Sequence, residues 1–265
     1  MLALFFSNRG NVAPPLEAGA EGEGDGDSSV ADYLRLGVTH IATGYDHLVF
    51  VLALLLTGTG VAQLATVVTG FTVAHSLTLA LGVLGFVQPL PEAVEALIGF
   101  SIVVVACENF ATTLGPAARV GLRAALGGLV VAAVLGALAG WVALPIAALL
   151  GIGLFSLCYL GLAERTKRPE TLRWVVALAF GLVHGFGFAG VLAETGLPAA
   201  NVAPALLGFN LGVELGQLLV VAVGWLALGA LLTGPRPRRL ATIQWGTTPV
   251  LAAGLYWFLS RALAG

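Results

Sequence analysis

Four histidines, His40, His47, His75 and His184, are all that this chain has, and every one lies inside an apolar stretch. Asp46, Glu95, Glu108 and Glu214 share those stretches. An ionised side chain at the centre of a bilayer costs at least about 2.5–3.5 kcal/mol on insertion scales. Eight ionisable groups in such surroundings must therefore face one another, water or a cation. Neutral imidazole together with carboxylate suits Zn, Ni, Co, Mn or Cu(II). The two cysteines, Cys107 and Cys158, and the one methionine offer little soft sulfur for Cu(I) and form no disulfide framework.

The elements that must hold these groups are set by composition. Of 265 residues, 58% are hydrophobic and 10% charged, and the mean hydropathy is +0.97. A water-soluble domain carries about 25% charged residues, so lipid is the fitting solvent. The expected fold is all-α, a polytopic transmembrane helical bundle of about eight spans at 34–57, 62–86, 92–113, 122–140, 142–163, 171–194, 203–232 and 241–261. The uncharged run from Ala124 to Ala163 is too long for one span and is divided near Gly140–Trp141, ahead of Pro145. Residues 1–32 read as a disordered acidic tail and 33–265 as a single transmembrane domain. No basic region precedes the apolar start, so no signal peptide is expected.

Nine of the twelve basic residues fall in three connections: Arg119 and Arg123; Arg165, Lys167, Arg168 and Arg173; and Arg236, Arg238 and Arg239. With eight spans these share one face, which the positive-inside rule makes cytoplasmic. Both termini are then non-cytoplasmic, in the inner (plasma) membrane. Seven spans would scatter the arginines over both faces. No basic patch with interleaved aromatics suggests nucleic acid.

Helical rise places Asp46, His47, His75, His184 and Glu214 near the midplane. Their helices would deliver ligands to one level, with His40 two turns above toward the outside and Glu108 deeper toward the cytoplasm. The expected metal ligands are His40, Asp46, His47, His75, His184 and Glu214. Glu108, Asn109, Asn210 and Gln217 are expected behind them or along a path. Asn210, Glu214 and Gln217 repeat at i, i+4, i+7 and make one face of their helix polar. The plainer readings are a histidine that only bonds a neighbouring helix, a Glu95 that only reaches the interface, and Thr72, Ser76 and Ser101 bonding backbone carbonyls. HSLTLALG and HGFGFAG each place a histidine mid-span, a hint of internal repetition too short to establish one.

The segments HIATGYDHLVFVLALLL, FTVAHSLTLALG, VEALIGFSIVVVACENF, FGLVHGFGFAGVLAETGL and FNLGVELGQ, in this order, resemble the HupE/UreJ family of membrane proteins, most closely its second branch. The likeness covers roughly 34–110 and 175–220. It implies a nickel permease linked to hydrogenase and urease maturation, and so metalloenzyme-maturation partners. The family's first-span signature falls on His40, Gly44, Asp46 and His47; His75, Glu108, His184, Asn210 and Glu214 match other polar positions. Ile41 stands where the better-known branch has proline, and that branch is usually drawn with about six spans.

The leading expectation is secondary transport of a divalent metal, Ni²⁺ or Co²⁺ in type, with lipid and the ion (Ni²⁺, Co²⁺ or Zn²⁺) as partners and no catalytic residues. Nothing in the chain resembles a phosphate-binding loop, so a membrane potential, a proton gradient or a partner would drive it. A zinc-dependent intramembrane hydrolase and a non-catalytic accessory protein are the alternatives. A homo-oligomer is left open.

Overall fold

The computed structural model describes residues 29–142, 144–194 and 202–263, so positions 1–28 of the tail expected at 1–32 lie outside the described residues. Among the described residues there are nine helices and no strand: α1 (Val30–Thr43), α2 (Tyr45–Leu55), α3 (Val61–Val83), α4 (Pro91–Thr113), α5 (Pro116–Leu138), α6 (Ile146–Arg165), α7 (Pro169–Glu194), α8 (Val202–Leu232) and α9 (Arg236–Ala262). The fold is the all-α polytopic bundle that the apolar segments call for. Helix α1 begins inside the stretch assigned to the tail. Ser29 caps it, and Asp32 reaches back to the Ser29 backbone N–H in a capping box.

The first expected span is not one straight helix. It breaks at Gly44, and α1 and α2 meet at 69°. Gly44 has an extended backbone (φ −77°, ψ 95°) that any residue could adopt. Space is what demands glycine there: a Cβ would lie 2.7 Å from the His40 carbonyl oxygen and 3.1 Å from His47 Nδ1. The division anticipated near Gly140 is present. Helix α5 stops at Leu138, and Gly140 takes φ 77°, the left-handed region that favours glycine.

Among the described residues, six helices are long and apolar enough to cross a membrane, and the bent α1–α2 pair makes seven if it counts as one span. Helix α9, the expected eighth, has 27 residues but is not among them. It carries Gln244, Thr247, Thr248 and Pro249 in its middle.

Small residues set the packing. Gly70 receives the Trp174 ring, Gly181 lies against Phe71 and Ala74, Gly185 against His75 and Thr78, and Gly82 against Ala189. These contacts advance together, so α3 and α7 run parallel. Likewise α1 runs along α8, with Gly37 against Gly212 and Ile41 against Gly216. Helix α9 runs antiparallel to α4, since Gly99 meets Trp257 and Phe258 while Gly254 meets Ile102 and Val103. Arg261 pairs with Glu95 at the far end of that contact, 2.6 Å apart. Helix α7 is also antiparallel to α4, with Gly187 against Val94 and Ile98. The end of α4 and the starts of α7 and α9 therefore share one end of the bundle. That end carries the three arginine clusters.

Replacing Gly181 by valine drives two methyl groups into the α3 backbone. The expected loss is about 1–3 kcal/mol, read as a lower thermal midpoint of the detergent-solubilised protein. Gly151→Val, where a Cβ meets open space, should leave the midpoint within about 0.5 kcal/mol equivalent.

Candidate metal centre

The break at Gly44 decides the geometry of the site. Along a straight helix, seven residues would separate His40 and His47 by about 10 Å. The bend instead brings their rings to 4.8 Å between centroids. His40 thus belongs to the cluster rather than standing two turns above it. Helix α3 contributes His75, whose ring centroid lies 6.3 Å from that of His47. One ring nitrogen from each of His40, His47 and His75 falls within 4.8 Å of the others. His184 joins from α7, 5.5 Å from the His47 ring, without entering that tightest set. His47, His75 and His184 are buried.

What the other ring nitrogens do fixes the chemistry. His47 Nδ1 lies 3.1 Å from an Asp46 carboxylate oxygen. His184 Nδ1 faces the Phe180 carbonyl oxygen at 2.9 Å. His75 Nδ1 faces Asn210 Oδ1 at 3.4 Å, while the Asn210 amide donates to the Leu206 carbonyl. Each of these partners is an acceptor, so each Nδ1 carries the proton and each Nε2 keeps its lone pair. The Nε2 atoms of all four histidines are buried and find no hydrogen-bond partner among the described residues. An unsatisfied buried polar atom costs about 1–3 kcal/mol. Four in one place suit a cation: a ligating imidazole gives its second N–H to a carboxylate, carbonyl or similar acceptor.

Aromatic rings close the cluster at both ends. Phe188 and Phe209, stacked on each other, flank His40 at 4.3 and 5.5 Å on the side away from the arginines. Phe50 and Phe71 lie against His184 on the side toward them, at 5.4 and 4.9 Å.

The remaining polar positions divide in two. Asn210, Glu214 and Gln217 line α8 along the face that meets α3. Thr69 donates to Glu214 at 2.6 Å, and Thr72 donates to Gln217 at 3.0 Å. Glu214 is one turn from Asn210 and outside the close His set, but its Oε2 is buried and finds no partner among the described residues. Asn109 turns away and donates to the Ala53 carbonyl at 2.8 Å, pinning α4 to α2. Glu108 also lies elsewhere. Its carboxylate accepts from Arg173 Nε at 2.7 Å and from the Tyr159 hydroxyl. Sequence reasoning placed Arg173 among loop charges and passed over Tyr159. A tyrosine within an apolar run, facing the same end as a buried glutamate, was the available signal. Thr72, Ser76 and Ser101 each bond a backbone carbonyl, as expected of hydroxyls in such helices.

The histidine pair on α3 and α7 reflects a repeat. The family model described as HupE / UreJ protein matches residues 19–151 and again 128–261, two copies whose starts are 109 residues apart. The same spacing relates His75 to His184, Phe71 to Phe180, Gly99 to Gly208 and Phe100 to Phe209. No curated protein and no solved structure matches the chain. The two matches together span most of its length, and the chain belongs to the HupE/UreJ family.

Proposed function

We propose that this membrane protein carries a divalent transition metal of the Ni²⁺ or Co²⁺ type across the bilayer through the His40–His47–His75 site. The observation that carries this reading is the convergence of three imidazoles from three helices, with ring nitrogens within 4.8 Å. Intermediate nitrogen ligands suit these ions. His184 and Glu214 stand ready as further ligands on adjoining helices. Two layers of aromatic rings around the cluster suit an occluded stage of transport, in which the ion is closed from both faces. The bend at Gly44 supports the same reading, because broken helices at the midplane are a recurrent way to build an ion site. With the arginine-bearing end cytoplasmic, as the positive-inside rule directs, both termini are non-cytoplasmic. An inside-negative potential then favours entry of a cation by about 2.3 kcal/mol per charge per 100 mV.

A zinc-dependent hydrolase would use the same three imidazoles with water in the open position, so the test must separate the two. Elemental analysis and Ni²⁺, Co²⁺ and Zn²⁺ titrations of the purified protein should show exchangeable Ni²⁺ or Co²⁺, weakened more than tenfold by His47→Ala and by His75→Ala. Flux into liposomes should fall in parallel. Stoichiometric zinc that survives purification would favour the hydrolase, and no binding of any of the three ions would overturn both.

Asp46→Leu and Asn210→Leu keep every metal-facing nitrogen but remove the acceptor that supports it. Each should weaken metal affinity about 10–100-fold, checked by the same titrations. A loss of folding without a change in affinity would instead mark these residues as packing groups.

A further inference from the structure

Helix α7 carries Arg173, Ala177, Phe180 and His184 at i, i+4, i+7 and i+11, a single stripe on one helical face. The stripe leads from the arginine-bearing end to the histidine cluster, and each residue on it meets a different layer. Arg173 holds the Glu108 carboxylate, which also accepts from Tyr159. Both members of the ion pair are largely buried, Arg173 at 15% and Glu108 at 12% side-chain exposure. The pair and Tyr159 line a cavity whose other walls are apolar, Phe50, Ala177 and Phe180 among them, with room for about one water. Phe50 lines this cavity, and its ring also lies against that of His184. The Phe50 ring therefore lies between the histidines and a small, mostly apolar chamber whose polar groups are those of Glu108, Tyr159 and Arg173. Glu108 is five residues from the end of α4 and Arg173 four from the start of α7, so the pair lies about 6–8 Å inside.

The repeat carries no charge at the positions that correspond to these three. The position that corresponds to Glu108 is Gln217, which bonds Thr72 as a neutral amide. Those that correspond to Tyr159 and Arg173 are Phe50 and Leu64, both buried apolar groups. The corresponding positions thus carry no charge, whereas Glu108 from the first copy meets Tyr159 and Arg173 from the second, bringing a carboxylate, a phenol and a guanidinium together.

We propose that Glu108 is a second cation station, on the arginine-bearing side of the histidine site, and that Arg173 is its displaceable lid. Resting on the transport reading above, this assigns the order of events on that side. Arg173 occupies Glu108 while the ion is held by the histidines. Rotation of the Phe50 ring opens the chamber, the ion takes the carboxylate, and the guanidinium swings toward the bundle end. Tyr159 keeps the carboxylate aimed into the chamber while Arg173 is away. In this proposal the guanidinium and the ion compete for the same carboxylate, so the lid and the ion alternate.

The test places a cysteine at the chamber wall, Ala177→Cys, in the full chain with Cys107→Ala and Cys158→Ser, reconstituted in liposomes. The probe is a membrane-impermeant cationic methanethiosulfonate applied from the arginine-bearing face. The parent should label slowly, and Arg173→Gln should label at least tenfold faster. The charge exchange Glu108→Arg with Arg173→Glu should restore slow labelling, which a merely misfolded bundle would not do. Ni²⁺ should slow labelling of the Arg173→Gln protein and have no effect once Glu108→Gln is added. Labelling of Arg173→Gln as slow as the parent, fast labelling of the parent, or fast labelling of the charge exchange would each overturn the lid. Nickel protection that persists without the Glu108 carboxylate would overturn the station. Should Arg173→Gln fail to fold, Tyr159→Phe replaces it, with labelling about threefold faster than the parent expected and an unchanged rate overturning the proposal. Labelling reports the lid whether or not metal binds the histidines. A gate that opens in a protein without metal affinity would therefore sink the transport reading alone, and metal flux with an unmoved gate would sink this one.

Discussion

The close approach of α3 and α7 is the constraint on which the centre of this protein rests. Gly181 and Gly185 leave no side chain between the helices, so the α7 backbone lies directly against the carbonyls of Phe71 and His75. In lipid there is no hydrophobic drive between helices, and such close packing of backbones is what holds them together. Its consequence is chemical. Two imidazoles that are 109 residues apart in the chain enter the same small volume, and α1 and α2 then fold around them to add two more. A side chain at either glycine would meet the α3 backbone and push the two helices, and with them the two imidazoles, apart.

Burial then turns proximity into a site. Three of the four imidazoles are tied by Nδ1 to Asp46, Asn210 or a backbone carbonyl, which selects the tautomer and points the lone pair of Nε2 away from that tie. The same acceptors limit ring rotation. Ligand direction is thus set by helix packing before any ion arrives, a form of preorganisation that reduces the ordering cost of binding.

Duplication followed by divergence accounts for the asymmetry of the two halves. The positions that correspond to His40, Asp46 and His47 are Leu149, Phe155 and Ser156. Helix α6 is therefore the apolar counterpart, in sequence, of the bent α1–α2 pair. It contributes Tyr159 to the Glu108 ion pair instead of ligands to the histidine cluster. The first copy supplies three of the four histidines and Glu108, and the second supplies His184 and the Tyr159 and Arg173 that hold Glu108.

Much of this was legible in the amino-acid sequence because it is a matter of local composition. Apolar runs of about 20 residues must be membrane helices, and histidines and carboxylates within them must find partners there. The i, i+4, i+7 spacing of Asn210, Glu214 and Gln217 likewise announced a polar face, and that face does meet α3. The break between α5 and α6 could be read from Gly140 and Pro145. Tertiary structure alone decided the rest. A straight first span was the natural reading of an unbroken apolar run, because the need for glycine at position 44 arises from crowding by His40 and His47 and not from its backbone angles. That Asn109 pins α2 while its neighbour Glu108 meets Tyr159 and Arg173, 51 and 65 residues away, depends on how α4, α6 and α7 are rotated against one another. Sequence determines which groups must be buried. Helix rotation and separation, which are set by packing among all the elements at once, decide which of those groups meet.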